Sequence, residues 1–125
     1  MNLTKNFSLA EFQSKDGDPM TADVLLNVRR VARNLQVLRD ELNEPVTINS
    51  GYRSPAHNKA SKGKPGSTHL TGEGADIVVK GYTPKQVYDT IERLQAEGKM
   101  EQGGLHAYAT FTHYDVGYNN RRRRW

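Results

Sequence analysis

Ser67-Thr68-His69-Leu70-Thr71-Gly72-Glu73-Gly74-Ala75-Asp76-Ile77-Val78-Val79 runs from a polar, glycine-bearing loop into a nearly continuous apolar segment. Ala75 to Val79 has the composition of a strand buried on both faces. Upstream, Val46-Thr47-Ile48-Asn49-Ser50 alternates as a strand does. Between the two strands, residues 51 to 68 are rich in Gly, Ser, Pro, Lys and Asn, an irregular connection long enough to suggest a functional loop. Downstream, Thr83-Pro84-Lys85-Gln86 combines a cap, a first-turn proline and a capping-box glutamine. The helix it opens has Val87, Tyr88, Ile91 and Leu94 on its inner face and Gly98 as its stop. Gly103 and Gly104 then open a β region through Leu105 to Phe111 and Thr112 to Val116.

Toward the N-terminus, Ser8-Leu9-Ala10-Glu11 is a capping box for a short helix, and Gly17, Asp18 and Pro19 break the chain after it. From Thr21 to Leu42, Val24, Val28, Val31, Leu35, Leu38 and Leu42 follow at steps of three and four. That spacing puts them on one stripe of a long core helix. Pro45 closes the helical region. The element order predicts a small α+β domain, with helices packed on a mostly antiparallel sheet. The expected division is a folded domain over residues 1–120 and a basic C-terminal tail over 121–125.

A chain of 125 residues fits one domain. No apolar run approaches the ~18 residues of a membrane span, and the N-terminus lacks the apolar stretch of a secretory signal. The expectation is synthesis in the cytoplasm. Without cysteines, any metal site must use nitrogen and oxygen donors. Lys and Arg total 18 against 14 Asp and Glu, and four of the 18 are Arg121 to Arg124; taking those four away leaves 14 against 14. A neutral body with a basic end argues against a nucleic-acid-binding face. Arg121, Arg122, Arg123 and Arg124 instead suggest a tail for polyanions or envelope surfaces, or simply a solvated end.

His69 and Asp76, on a loop and the strand it feeds, are good donors for a first-row metal. His113, in Thr112-His113-Tyr114-Asp115-Val116, is a third. Residues two apart on a strand share a face, so His113 and Asp115 project the same way. If the two strands are neighbours, two imidazoles and one carboxylate can hold zinc with a position left open for chemistry. Spacing alone leaves open whether these side chains meet.

Ser50-Gly51-Tyr52-Arg53-Ser54-Pro55, then Ser67-x-His69-x-x-Gly72-x-x-Ala75-Asp76-Ile77, then Gly103-Gly104-Leu105 and Phe111-x-His113-x-Asp115-Val116 together resemble the zinc D-Ala-D-Ala carboxypeptidase and L-alanyl-D-glutamate endopeptidase family. Its members are peptidoglycan peptidases, many of them phage endolysins, with the hedgehog signalling domain as a distant relative. Asn6 to Phe12 also matches the usual opening of its short members, so the resemblance covers nearly the whole chain.

The resemblance implies that His69, Asp76 and His113 bind Zn2+, that Arg53 grips a carboxylate of a peptidoglycan stem peptide, and that Ser67 bonds substrate or orients the site. Several members carry an acid three positions before the last histidine, where this chain has Thr110. The general base is therefore sought at Asp115, with an orienting role for that residue as the equal alternative; Glu73 is a weaker candidate. His106 either lines the cleft and stabilises the oxyanion or is a plain strand histidine, Tyr108 is expected to face the cleft and bind substrate, and His57 is read as solvated. The implied protein is a monomeric cell-wall hydrolase, a metalloprotease acting in the periplasm or wall after release or as part of a bacteriophage particle. The alternatives are a zinc-binding module of the same fold without activity, and a small nucleic-acid binder using the arginines.

Overall fold

The computed structural model describes residues 1–125. A short 3-10 helix, Leu9–Phe12, follows the Ser8–Glu11 capping box, in which the Ser8 amide donates to the Glu11 carboxylate at 2.7 Å. Helix α1, Ala22–Leu42, starts where Thr21 Oγ1 accepts from the Val24 amide and stops at Asn43 in the left-handed conformation. Its Val24, Val28, Val31, Leu35 and Leu38 are buried, as their spacing predicts. Strand β1, Val46–Ser50, comes next. The connection expected to be irregular contains α2, Pro55–Ala60, capped by Ser54, and a 3-10 turn, Thr68–Thr71. His57, expected in a loop, lies in α2. Strand β2 (Gly74–Val79), helix α3 (Pro84–Ala96), and strands β3 (Gly104–Ala107) and β4 (Thr112–Asp115) follow.

With β5 (Arg123–Arg124) at its edge, the sheet order is β1-β2-β4-β3-β5, and every pairing is antiparallel except β3 with β5. Ala75, Ile77, Val79, Leu105 and Tyr114 share one apolar core with the inner faces of α1 and α3. Asp76 and His113 alternate with these residues, so they stand on the opposite face, beside the 3-10 turn and α2. The expected α+β architecture is the one observed.

The C-terminus corrects the expected boundary at residue 120. Arg123–Arg124 form β5, paired in parallel with Gly104 and Leu105. A one-turn element, α4 (Gly117–Asn120), returns the chain to the sheet through Tyr118, Asn119 and Asn120, all at positive φ. The arginines expected to form a polyanion-binding or solvated tail are mostly engaged within the fold. Arg122 and Arg124 pair with Glu92, Arg124 also reaches Gln95 at 2.8 Å, and Arg123 pairs with Asp115. Their partners lie far away in sequence, so the charge run looked unpartnered. No helix is long and apolar enough to cross a membrane.

Candidate metal centre

Because β2 and β4 are adjacent, Asp76 and His113 face each other directly across the ladder. His69 arrives from the 3-10 turn, which Ser67 caps by accepting the His69 amide at 3.2 Å. Gly72, at φ +78, ends that turn in a left-handed conformation. A side chain there would also strike Val24 and Val28 at 2.9 Å, so the turn lies tightly on α1. The Arg53 amide bonds the His69 carbonyl at 2.9 Å and ties the post-β1 loop to the same point.

The ligand-capable atoms of His69, Asp76 and His113 lie within 4.8 Å of one another, and all three residues are buried. His113 Nδ1 is 3.0 Å from Asp76 Oδ1, and His69 Nε2 is 3.3 Å from Asp76 Oδ2. Ligands at the usual zinc distances and tetrahedral angles stand roughly 3.3 Å apart, so the spacing fits that ion. Each ring is fixed from behind. His69 Nδ1 lies 2.7 Å from the Gly51 carbonyl oxygen, and His113 Nε2 lies 2.7 Å from Asp115 Oδ2. With an N–H kept on those rear nitrogens, loss of the front proton that each ring shares with Asp76 would free the lone pair a metal ligand needs.

Electrostatics favour a charged cluster. Burial works against ionised Asp76, but the hydrogen bonds from His113 and His69 outweigh it and hold the carboxyl well below its usual range. For His113, burial opposes the cation while Asp115 and Asp76 favour it, and the two carboxylates win, raising its pKa. Arg53 adds a cation with Nη2 3.5 Å from Asp76 Oδ2, steadied by Nε on Ser50 Oγ at 3.2 Å.

Asp115, expected as either a general base or an orienting partner, lies against the back of the His113 ring. Its side chain is fully buried and meets the rear nitrogen of His113, on the far side of the ring from Asp76. Oδ1 accepts from the Gly104 amide at 2.9 Å, the Gly117 amide at 3.0 Å and Arg123, while Thr68 donates to Oδ2 at 3.4 Å. Burial raises the pKa of this carboxyl, but the His113 bond, helped by the Gly104 amide and Arg123, brings it down to about 2. A carboxylate so enclosed has no route to a water in front of the cluster. Glu73 bonds Thr71 Oγ1 at 2.6 Å instead of joining the three donors. Thr110 lies in the β3–β4 turn.

His106, on β3, sits directly opposite His113 on β4, and its ring stacks on Trp125 at 5.3 Å with an interplanar angle of 6°. Tyr108 packs edge-on to His106 at 4.4 Å, and its hydroxyl accepts from the Trp125 indole at 3.1 Å. Trp125 also stands 5.6 Å from the His113 ring, so an aromatic wall flanks the cluster. The sequence offered His106 and Tyr108 as wall residues but not Trp125, whose place depends on β5. A separate open hollow of about 280 Å³, lined by Pro65, Gly66, Thr71, Glu73 and Tyr118, shares Ser67 and Thr68 with the other side of the turn.

The Peptidase M15 family model matches residues 5–115, and the chain belongs to that family of peptidases. No curated protein matches the chain. The matched segment contains all three clustered donors, Arg53 and Asp115, and stops short of β5 and Trp125.

Proposed function

We propose that the protein is a zinc peptidase that hydrolyses peptide bonds in bacterial peptidoglycan, as an endolysin-like endopeptidase or a carboxypeptidase. The observation that carries this reading is the pair of imidazoles held from behind by acceptors, with their free nitrogens converging on one carboxylate. His69, Asp76 and His113 would hold the ion, and the two-nitrogen, one-oxygen set suits zinc better than magnesium or calcium. Bound there, zinc supplies Lewis-acid polarisation of the scissile carbonyl and a more acidic water.

This chain's own residues supply the rest. Arg53 pairs its guanidinium fork with a stem-peptide carboxylate and fixes the peptide before attack. Asp115 holds the His113 ring in its tautomer and angle. His106 shares the open face with His113, and we assign proton transfer from the attacking water to the leaving amine to its imidazole. Trp125 and Tyr108 wall the cleft and limit water beside the reacting carbonyl. Ser67 acts through the turn it caps, by placing His69.

Purified sacculi incubated with zinc-loaded protein should release muropeptides with new termini, identified by mass spectrometry. Chelator-treated protein and His106→Ala should release far less. A second reading, a zinc-binding module of this fold that does not cleave, draws on one observation: the donor cluster includes no carboxylate beyond Asp76. Intact sacculi after treatment with fully loaded wild type would favour that module and defeat the peptidase.

A further inference from the structure

Resting on the zinc reading above, we infer that Arg123 is a positioning residue for the metal centre, acting on His113 through Asp115 from the C-terminal strand. Three features of the chain converge on this contact. The first is how the Asp115 carboxylate divides its partners. Oδ1 takes the Gly104 and Gly117 amides and Arg123 Nη2, which leaves Oδ2 to His113 Nε2 and the Thr68 hydroxyl. A carboxylate anchored on one oxygen by a cation and two amides presents the other at a fixed angle, and that angle sets where the His113 ring points.

The second feature is the space made for the contact. A Cβ on Gly104 would lie 2.3 Å from Asp115 Oδ2 and 3.1 Å from Arg123 Nη1, so only glycine lets β3, Asp115 and the guanidinium meet. The third is the backbone route. Tyr118, Asn119 and Asn120 take φ values of 53°, 55° and 61°, three successive left-handed residues without a glycine. That conformation is strained for side-chain-bearing residues and persists only where surrounding contacts enforce it. Here the contacts hold Arg123 in place. The Tyr118 ring lies 4.6 Å from the guanidinium, the Arg123 amide bonds Gly103 at 3.1 Å, and Asn120 bonds the Gln102 carbonyl at 2.9 Å. Arg123 Nε is buried without an acceptor, so the anchoring falls to Nη2.

The test measures zinc affinity by competition with a chromogenic chelator, and the visible spectrum of the cobalt(II)-loaded protein, for wild type, Arg123→Met and Arg123→Lys. Apo-protein melting is recorded beside them. Arg123→Met is expected to bind zinc about 10- to 100-fold more weakly, the usual consequence of losing such an outer partner, and to shift the cobalt bands. Arg123→Lys, which keeps a cation near Oδ1, should fall between the two. A folded Arg123→Met with wild-type affinity and an unchanged cobalt spectrum overturns the inference. If Arg123→Met does not fold, wild-type affinity in Arg123→Lys overturns it. A wild type that takes up no zinc defeats the metal reading itself, before Arg123 is questioned.

Discussion

Arg53 stands 3.5 Å from Asp76, at the long end of ion-pair range, and its other contacts are to Ser50 and, at 3.5 Å, to Asn58. Such a guanidinium keeps donors for an incoming anion. A hydrogen bond between charged groups contributes about 1.5–3 kcal/mol. Arg53→Ala should therefore lower kcat/KM roughly 10- to 150-fold for a stem peptide with a free carboxylate. On the same peptide amidated at that carboxylate, wild type and variant should converge. An equal loss on both substrates would mean that Arg53 serves the metal cluster and does not bind peptide.

The N-terminal segment and α2 meet at a small polar knot. Asp16 accepts from Ser54, the cap of α2, from Ser14 at 2.7 Å and from its neighbour's amide at Asp18 at 3.1 Å. These bonds, Ser54's first, hold the Asp16 carboxyl at about 2, below the usual carboxylate range. A depressed carboxyl stabilises the fold above its unfolded pKa, and that contribution disappears as pH falls through the folded value. Wild type should therefore out-melt Asp16→Asn at pH 5, and the gap should close between about pH 4 and pH 2. A gap constant over that range would remove the carboxylate from the account. The serines were legible in sequence only as turn formers, and α2 was not legible at all: Pro55–Ala60 is too short to show periodicity inside a run of Gly, Ser and Lys. By contrast, the α1 stripe, the capping boxes at Ser8 and Thr83, and the shared face of His113 and Asp115 could all be read beforehand. Each rests on local spacing or on the two-residue alternation of a strand. Asp115 was legible as a neighbour of His113, but not which ring nitrogen it would meet, because a side-chain rotamer decides that.

Across the molecule, charge is organised by contact more than by run. Arg30 joins Glu101 at 2.7 Å, with Asn34 and Asn120 on the same carboxylate, and β5 brings its arginines to Glu92, Gln95 and Asp115. Removing residues 121–125 should therefore behave as loss of a strand. Taking Arg123 from the buried Asp115 carboxylate, which keeps His113 and two amides, should cost about 1.5–3 kcal/mol, as losing a charged hydrogen bond does. Denaturant unfolding of the truncated chain measures this, and unchanged stability would restore the picture of a detached tail. Trp125 is the only tryptophan, and its ring centre lies 5.6 Å from that of His113. The protein thus carries its own light-emitting probe beside the donor cluster, with no second indole to blur the signal. Cobalt(II) entering there should dim the emission, and excess zinc, which binds such donors more tightly, should restore it.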